Sequence, residues 1–173
     1  MDVLGRAYRH VGPADVRSLV RPGGEGWRVR SQTDLDQWLA ARPAEEAREP
    51  FTFVVDTAGA LRLAPRRSEH VVCAGGAAVL SAGEIGFRRE SGRWVVDEVS
   101  NQSTGYCPDV TSWRAVAEAL DLAGIARPSG FTHAVVFRRC LSCAQLNVVR
   151  EQDFVCVFCD EVLPPEWNVD PGR

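Results

Sequence analysis

Two periods of apolar and polar positions run along this chain, and each change of period marks a predicted element. Residues 31–40 place Leu35, Trp38 and Leu39 at i, i+3 and i+4, one apolar helical face. Ser31 or Thr33 caps that helix, and Pro43 stands just past its end. Residues 112–122 repeat the signal with Trp113, Val116, Ala117 and Leu120 at i, i+3, i+4 and i+7. Asp109 or Thr111 caps this second helix and Gly124 stops it. Between the helices, β-branched and aromatic content predicts strands over 51–56 and 60–64, joined at Thr57-Ala58-Gly59. A short strand over 70–73 ends at Gly75-Gly76. Another covers 78–80 and 84–87, bent at Gly83, and turns at Ser91-Gly92 into a strand over 93–99. Residues 44–50 read as a charged linker. Residues 1–30, broken by Pro13, Pro22 and Gly23-Gly24-Glu25-Gly26, carry no long element. The expected fold is α+β: an antiparallel sheet of roughly five to seven strands with two helices, followed by a C-terminal zinc-ribbon hairpin.

That hairpin changes the picture most. After a strand over 133–137 come Cys140-Leu-Ser-Cys143, a twelve-residue spacer, and Cys156-Val-Phe-Cys159. Two residues between ligands let each pair wrap an ion in a tight knuckle, and four thiolates suit tetrahedral Zn2+. The spacer predicts two short strands, 146–149 and 153–155. The segment resembles the zinc-ribbon family, down to Leu163-Pro164 after the second knuckle. Ribbons often carry glycine after the second cysteine of a knuckle, where this chain has Ala144 and Asp160, so strain is expected there. Four protein ligands imply one structural zinc with no open coordination position. The competing reading, a redox dithiol, fits a single Cys-x-x-Cys better than two flanking a hairpin. The expected organisation is an α+β domain over 1–132 and a ribbon over 133–173.

A second cluster of candidates lies in 70–108. Small residues around Gly75-Gly76 and Ala82-Gly83-Glu84 precede a hairpin and the polar loop Asn101-Gln102-Ser103-Thr104-Gly105-Tyr106. A hairpin over 84–101 brings the two together, and His70, Glu84, Asn101, Ser103 and Tyr106 are the ligand-pocket candidates. The order Gly-Gly, Val-Leu-x-Ala-Gly-Glu, hairpin, Ser-Asn-x-Ser-x-Gly-Tyr-x-Pro resembles a segment of the plant calmodulin-binding IQ-motif proteins and related microbial proteins. The resemblance covers about a quarter of the chain and none of the IQ motif. That family's loop reads Ser-Gly-His-Tyr-x-Pro, and no histidine precedes Tyr106 here. A purely structural reading competes: Asn101, Ser103 and Thr104 organise the loop through side-chain-to-backbone bonds. Cys73 or Cys107 with His70 or His133 is a weaker nucleophile–base pairing, since a lone cysteine is usually a small buried apolar residue.

Charge narrows the partners. The chain has 173 residues and a formal net charge of −3, and its 20 cationic side chains are all arginine. An acidic balance with only paired arginines speaks against nucleic acid; the alternative nucleic-acid face is Arg138, Arg139 and Arg150. No membrane-length apolar run and no signal pattern are seen, so a cytoplasmic protein is expected. The absence of lysine beside abundant Arg, Ala and Gly suggests a GC-rich bacterial genome. The expected function is a zinc-binding, non-catalytic adaptor with a protein partner. The alternatives are an enzyme or small-ligand binder at Glu84, Asn101 and Tyr106, and nucleic-acid binding through the ribbon.

Overall fold

A computed structural model describes residues 5–170. Its centre is a five-stranded antiparallel sheet of β1 (Trp27–Val29), β2 (Phe51–Asp56), β3 (Leu61–Ala64), β4 (Val79–Glu90) and β5 (Arg93–Val99), in the order β1-β3-β2-β4-β5. The predicted α+β class with an antiparallel sheet therefore stands. Among the described residues there are two long helices, α2 (Gln32–Ala40) and α4 (Trp113–Leu122), and two single-turn helices, α1 (Ala14–Arg17) and α3 (His70–Cys73). Ser31 caps α2 by accepting the Asp34 N–H. Asp109 caps the short 3-10 turn that leads into α4.

The sheet is covered on both faces, which is why central β2 reads as a nearly unbroken apolar run. Phe51, Phe53 and Val55 point to one side and join Leu35, Trp38, Leu39, Val116 and Leu120 from α2 and α4. Val54 points to the other and meets Tyr8, Val71, Ala82 and Tyr106. That second face is closed by α3, the 103–107 loop and an N-terminal strap, in which Tyr8 and Val79 exchange backbone hydrogen bonds.

Two expectations are corrected. Residues 70–73 form a helical turn, not a strand. The Cys73 N–H bonds the Glu69 carbonyl, the Ala74 N–H bonds that of His70, and Gly75 and Gly76 end the turn at φ 62° and 80°. A pair of valines favours a strand only beside an open sheet edge, and this segment lies across the face of β2 and β3. As expected, residues 79–80 and 84–87 belong to one strand, β4, which continues to Glu90. Gly83 serves close approach: a Cβ there would lie 1.9 Å from the Ser100 carbonyl oxygen. Gly83→Ala should therefore destabilise the fold by about 3 kcal/mol, measured by denaturant unfolding. Second, the predicted partner of 146–149 is wrong. Strand β7 (Leu146–Val149) pairs with β6 (Val136–Arg139) and not with 153–155, which makes only the isolated bridges Arg150↔Asp153 and Val155↔Val162. The chain turns at Glu151 and Gln152, both at positive φ, and then leaves the sheet. It must do so to carry Cys156 back to Cys140.

Residues 164–170 fold back over the body. Trp167 packs edge-on to Tyr8 at 5.2 Å, and its Nε1–H donates to the Cys107 carbonyl at 2.8 Å. Arg9 forms a bidentate ion pair with Asp170.

Candidate metal centre

The first knuckle lies in the connection between β6 and β7, and the second returns beside it. They share one backbone plan. The Cys140 N–H bonds the Gln145 carbonyl and the Ala144 N–H bonds that of Cys140; the Cys156 N–H bonds the Glu161 carbonyl and the Asp160 N–H that of Cys156. Closing each loop in this way forces Ala144 to φ 62° and Asp160 to φ 64°. These are the two positions where the sequence lacks the expected glycine. A Cβ is penalised in that region by about 1 kcal/mol, less for aspartate than for alanine. Ala144→Gly should therefore stabilise the metal-loaded protein by about 1 kcal/mol, with a smaller gain for Asp160→Gly. Thermal unfolding at fixed metal concentration tests the order.

The four sulfur atoms of Cys140, Cys143, Cys156 and Cys159 lie within 4.8 Å of one another. Cys140 to Cys159 and Cys143 to Cys156 are each 3.6 Å. A disulfide needs about 2.05 Å. Tetrahedral coordination at a metal–sulfur distance of about 2.3 Å needs sulfurs about 3.8 Å apart. The spacing thus fits one metal ion among four thiolates.

Polar groups are already aimed at the sulfurs. The Phe158 N–H and the Asn147 amide each point at Cys156 Sγ from 3.4 Å. Burial opposes ionisation of Cys156, but these donors outweigh it and bring the thiol down to about 6. At Cys159 the Glu161 N–H favours the thiolate, yet burial and the other three sulfurs push the thiol up to about 12. A cation that shares the four sulfurs removes that conflict.

Asn147 was not a candidate from sequence. It is buried, and besides Cys156 it accepts from the Val157 N–H at 3.0 Å and donates to the Gln145 carbonyl at 3.1 Å. One side chain thereby ties both knuckles together. The available signal was an amide inside the β-branched run Leu146-Asn147-Val148-Val149. Arg138 is buried too, with its guanidinium on the carbonyls of Phe137, Pro164 and Pro165. Burial lowers its pKa. Arg139 donates to the carbonyls of Val169 and Ala144. Two of the three arginines suggested for phosphate contacts are thus internal braces of the ribbon.

The structure does bring the Gly75–Ala77 and Gly83 region against the 101–106 loop. Four of the five pocket candidates, His70, Asn101, Ser103 and Tyr106, are engaged by backbone groups. Tyr106 is fully buried and donates its hydroxyl to the Ala77 carbonyl at 2.7 Å. Ser103 Oγ accepts the Tyr106 N–H. Asn101, also fully buried, donates to the carbonyls of Pro108 and Val135 and accepts the Val135 N–H at 2.7 Å. His70 Nε2 meets the Gly83 carbonyl at 2.9 Å, and burial lowers its pKa. Glu84 stands apart, exposed at a cavity of about 120 Å³ that none of the other four candidates lines. Burial pushes the thiols of Cys73 and Cys107 up to about 12, so neither is a ready thiolate.

The outer surface of the centre is apolar. Leu141 on the first knuckle is 81% exposed, and Val157, Phe158 and Val162 on and beside the second are 75%, 63% and 75% exposed. Among the described residues, no helix is long and apolar enough to cross a membrane. Comparison of the chain with protein-family models, curated proteins and solved structures finds no match. The resemblances to zinc ribbons and to the IQ-motif proteins therefore rest on the residues quoted for them.

Proposed function

We propose that Cys140, Cys143, Cys156 and Cys159 hold one structural zinc ion, and that the resulting zinc ribbon is the protein-docking face of a non-catalytic cytoplasmic adaptor. Zinc is the ion best suited to four thiolates in a closed tetrahedral set. Such a set has no vacant position for substrate or water, which favours a structural role. The ion would replace the core that so short a ribbon cannot build.

The observation that carries the docking role is the exposure of Leu141, Val157, Phe158 and Val162 beside the ligands. A soluble protein normally buries or disperses large apolar side chains, and clustered ones mark contact sites. Here the metal fixes them in place, so little entropy is lost when a partner covers them.

Affinity purification from the native host, with and without Leu141→Ser plus Phe158→Ser, tests this reading. A partner retained by the parent and lost by the variant, at unchanged zinc content, supports it. Equal recovery by both proteins refutes docking through the knuckles. Metal analysis should find one zinc per chain after purification without chelator.

A further inference from the structure

The second knuckle carries exposed charge of one sign beside its apolar side chains. From Glu151 to Asp170 the sequence contains six acids and no arginine, lysine or histidine, and two of those acids, Asp160 and Glu161, lie on the second knuckle. Asp160 and Glu161 are exposed and sit between the apolar residues Phe158 and Val162. Arg138 is buried on backbone carbonyls, and the half-buried Arg139 is engaged by those of Val169 and Ala144. Arg150 follows the end of β7 that lies away from the first knuckle, since Leu146 pairs with Arg139 beside Cys140 while Val149 pairs with Val136. With the proposed zinc bound, four thiolates on a divalent ion would add a formal charge of about −2 at the same site.

We infer that the knuckle tips dock onto a cationic protein surface: an apolar recess, ringed by lysine or arginine, that receives Phe158, Val157 and Leu141. This rests on the docking reading above and adds the chemistry of the partner. Burying Phe158 supplies the contact area, and the anionic surroundings steer encounter and reject acidic surfaces. The same field repels nucleic-acid phosphates and anionic lipid headgroups, which leaves a basic protein segment as the matching occupant.

Selection of a random displayed peptide library on the zinc-loaded full-length protein tests this directly. Phe158→Ser and the pair Asp160→Asn with Glu161→Gln serve as controls. All these side chains are exposed, and zinc content reports that each variant is intact. The expected result is enrichment of peptides with a surplus of Lys and Arg around Leu, Phe or Trp. Synthesised peptides should bind the Phe158→Ser protein at least about tenfold more weakly. They should also weaken severalfold when the two acids are neutralised, or when salt rises from about 50 mM to about 500 mM. Neutral or acidic peptides whose binding still needs Phe158 would overturn the cationic partner while leaving the docking role intact. Binding indifferent to Phe158, or no enrichment at all, would overturn both. Concentration-dependent dimerisation of the zinc-loaded chain, abolished by Phe158→Ser, would make a second copy the occupant and overturn this inference.

Discussion

Cys156→Ser is expected to abolish tight zinc binding and to unravel residues 136–163 while the central sheet stays folded. The ribbon's own apolar cluster consists of Cys140, Cys156 and Leu163, with Cys143, Val149 and Phe154 packed against it. A cluster of that size, half of it made of ligands, cannot offset the ordering entropy of the two knuckles. The proposed zinc would supply the difference, since structural zinc contributes on the order of 10 kcal/mol. Cys156 is also the sulfur that receives the Asn147 amide and the Phe158 N–H, so its loss removes the link between knuckles as well as a ligand. The sheet has a separate core built from α2, α4 and β2–β5, and it should survive. Hydrogen exchange checks this. Fast exchange over 136–163 with continued protection over 51–56 is the expected pattern, and an excess of chelator should reproduce it in the parent. Zinc content near one per chain in the variant would overturn the assignment of Cys156 as a ligand.

Asn101→Ala should cost about 4 kcal/mol, measured by denaturant unfolding of the zinc-loaded protein. The side chain is fully buried and pairs three backbone groups: the carbonyls of Pro108 and Val135 and the Val135 N–H. Truncation would leave these groups unpaired, each at about 1–3 kcal/mol, and would open a small cavity. Glu84→Gln gives the contrast. Glu84 is exposed, and its replacement should change stability by no more than about 0.5 kcal/mol. If Asn101→Ala proved as stable as the parent, the amide would not be needed for folding. The case for a ligand-binding loop would then reopen.

These two expectations separate what was legible in the sequence from what was not. The two long helices could be read because the stripes Leu35, Trp38, Leu39 and Trp113, Val116, Ala117, Leu120 are local patterns. Each repeats within one element and says which face turns inward. Strands β2, β3 and β5 were legible for the same reason. The four cysteines were legible because two residues between ligands is a local geometric requirement of a knuckle. Even the strained Ala144 and Asp160 followed from the knuckle pattern.

What escaped the sequence depends on residues distant along the chain. Val71-Val72 has strand-forming side chains, yet no free sheet edge stands beside it, so the segment closes into a helical turn. Gly83 reads as a bend in sequence, and only the fold shows that the Ser100 carbonyl passes too close there for any Cβ. Asn101 and Tyr106 look like pocket residues because they are polar and neighbours in a loop. Only the fold reveals that Val135 and Ala77 already take their hydrogen bonds. Strand β7 chose β6 over the nearer 153–155 because Cys156 must return to Cys140. Local periodicity fixes which face of an element is apolar, and ligand spacing fixes which cysteines form a knuckle. Which buried polar group finds which partner is decided by long-range packing, because the cost of an unpaired group falls due only when tertiary contacts remove it from water.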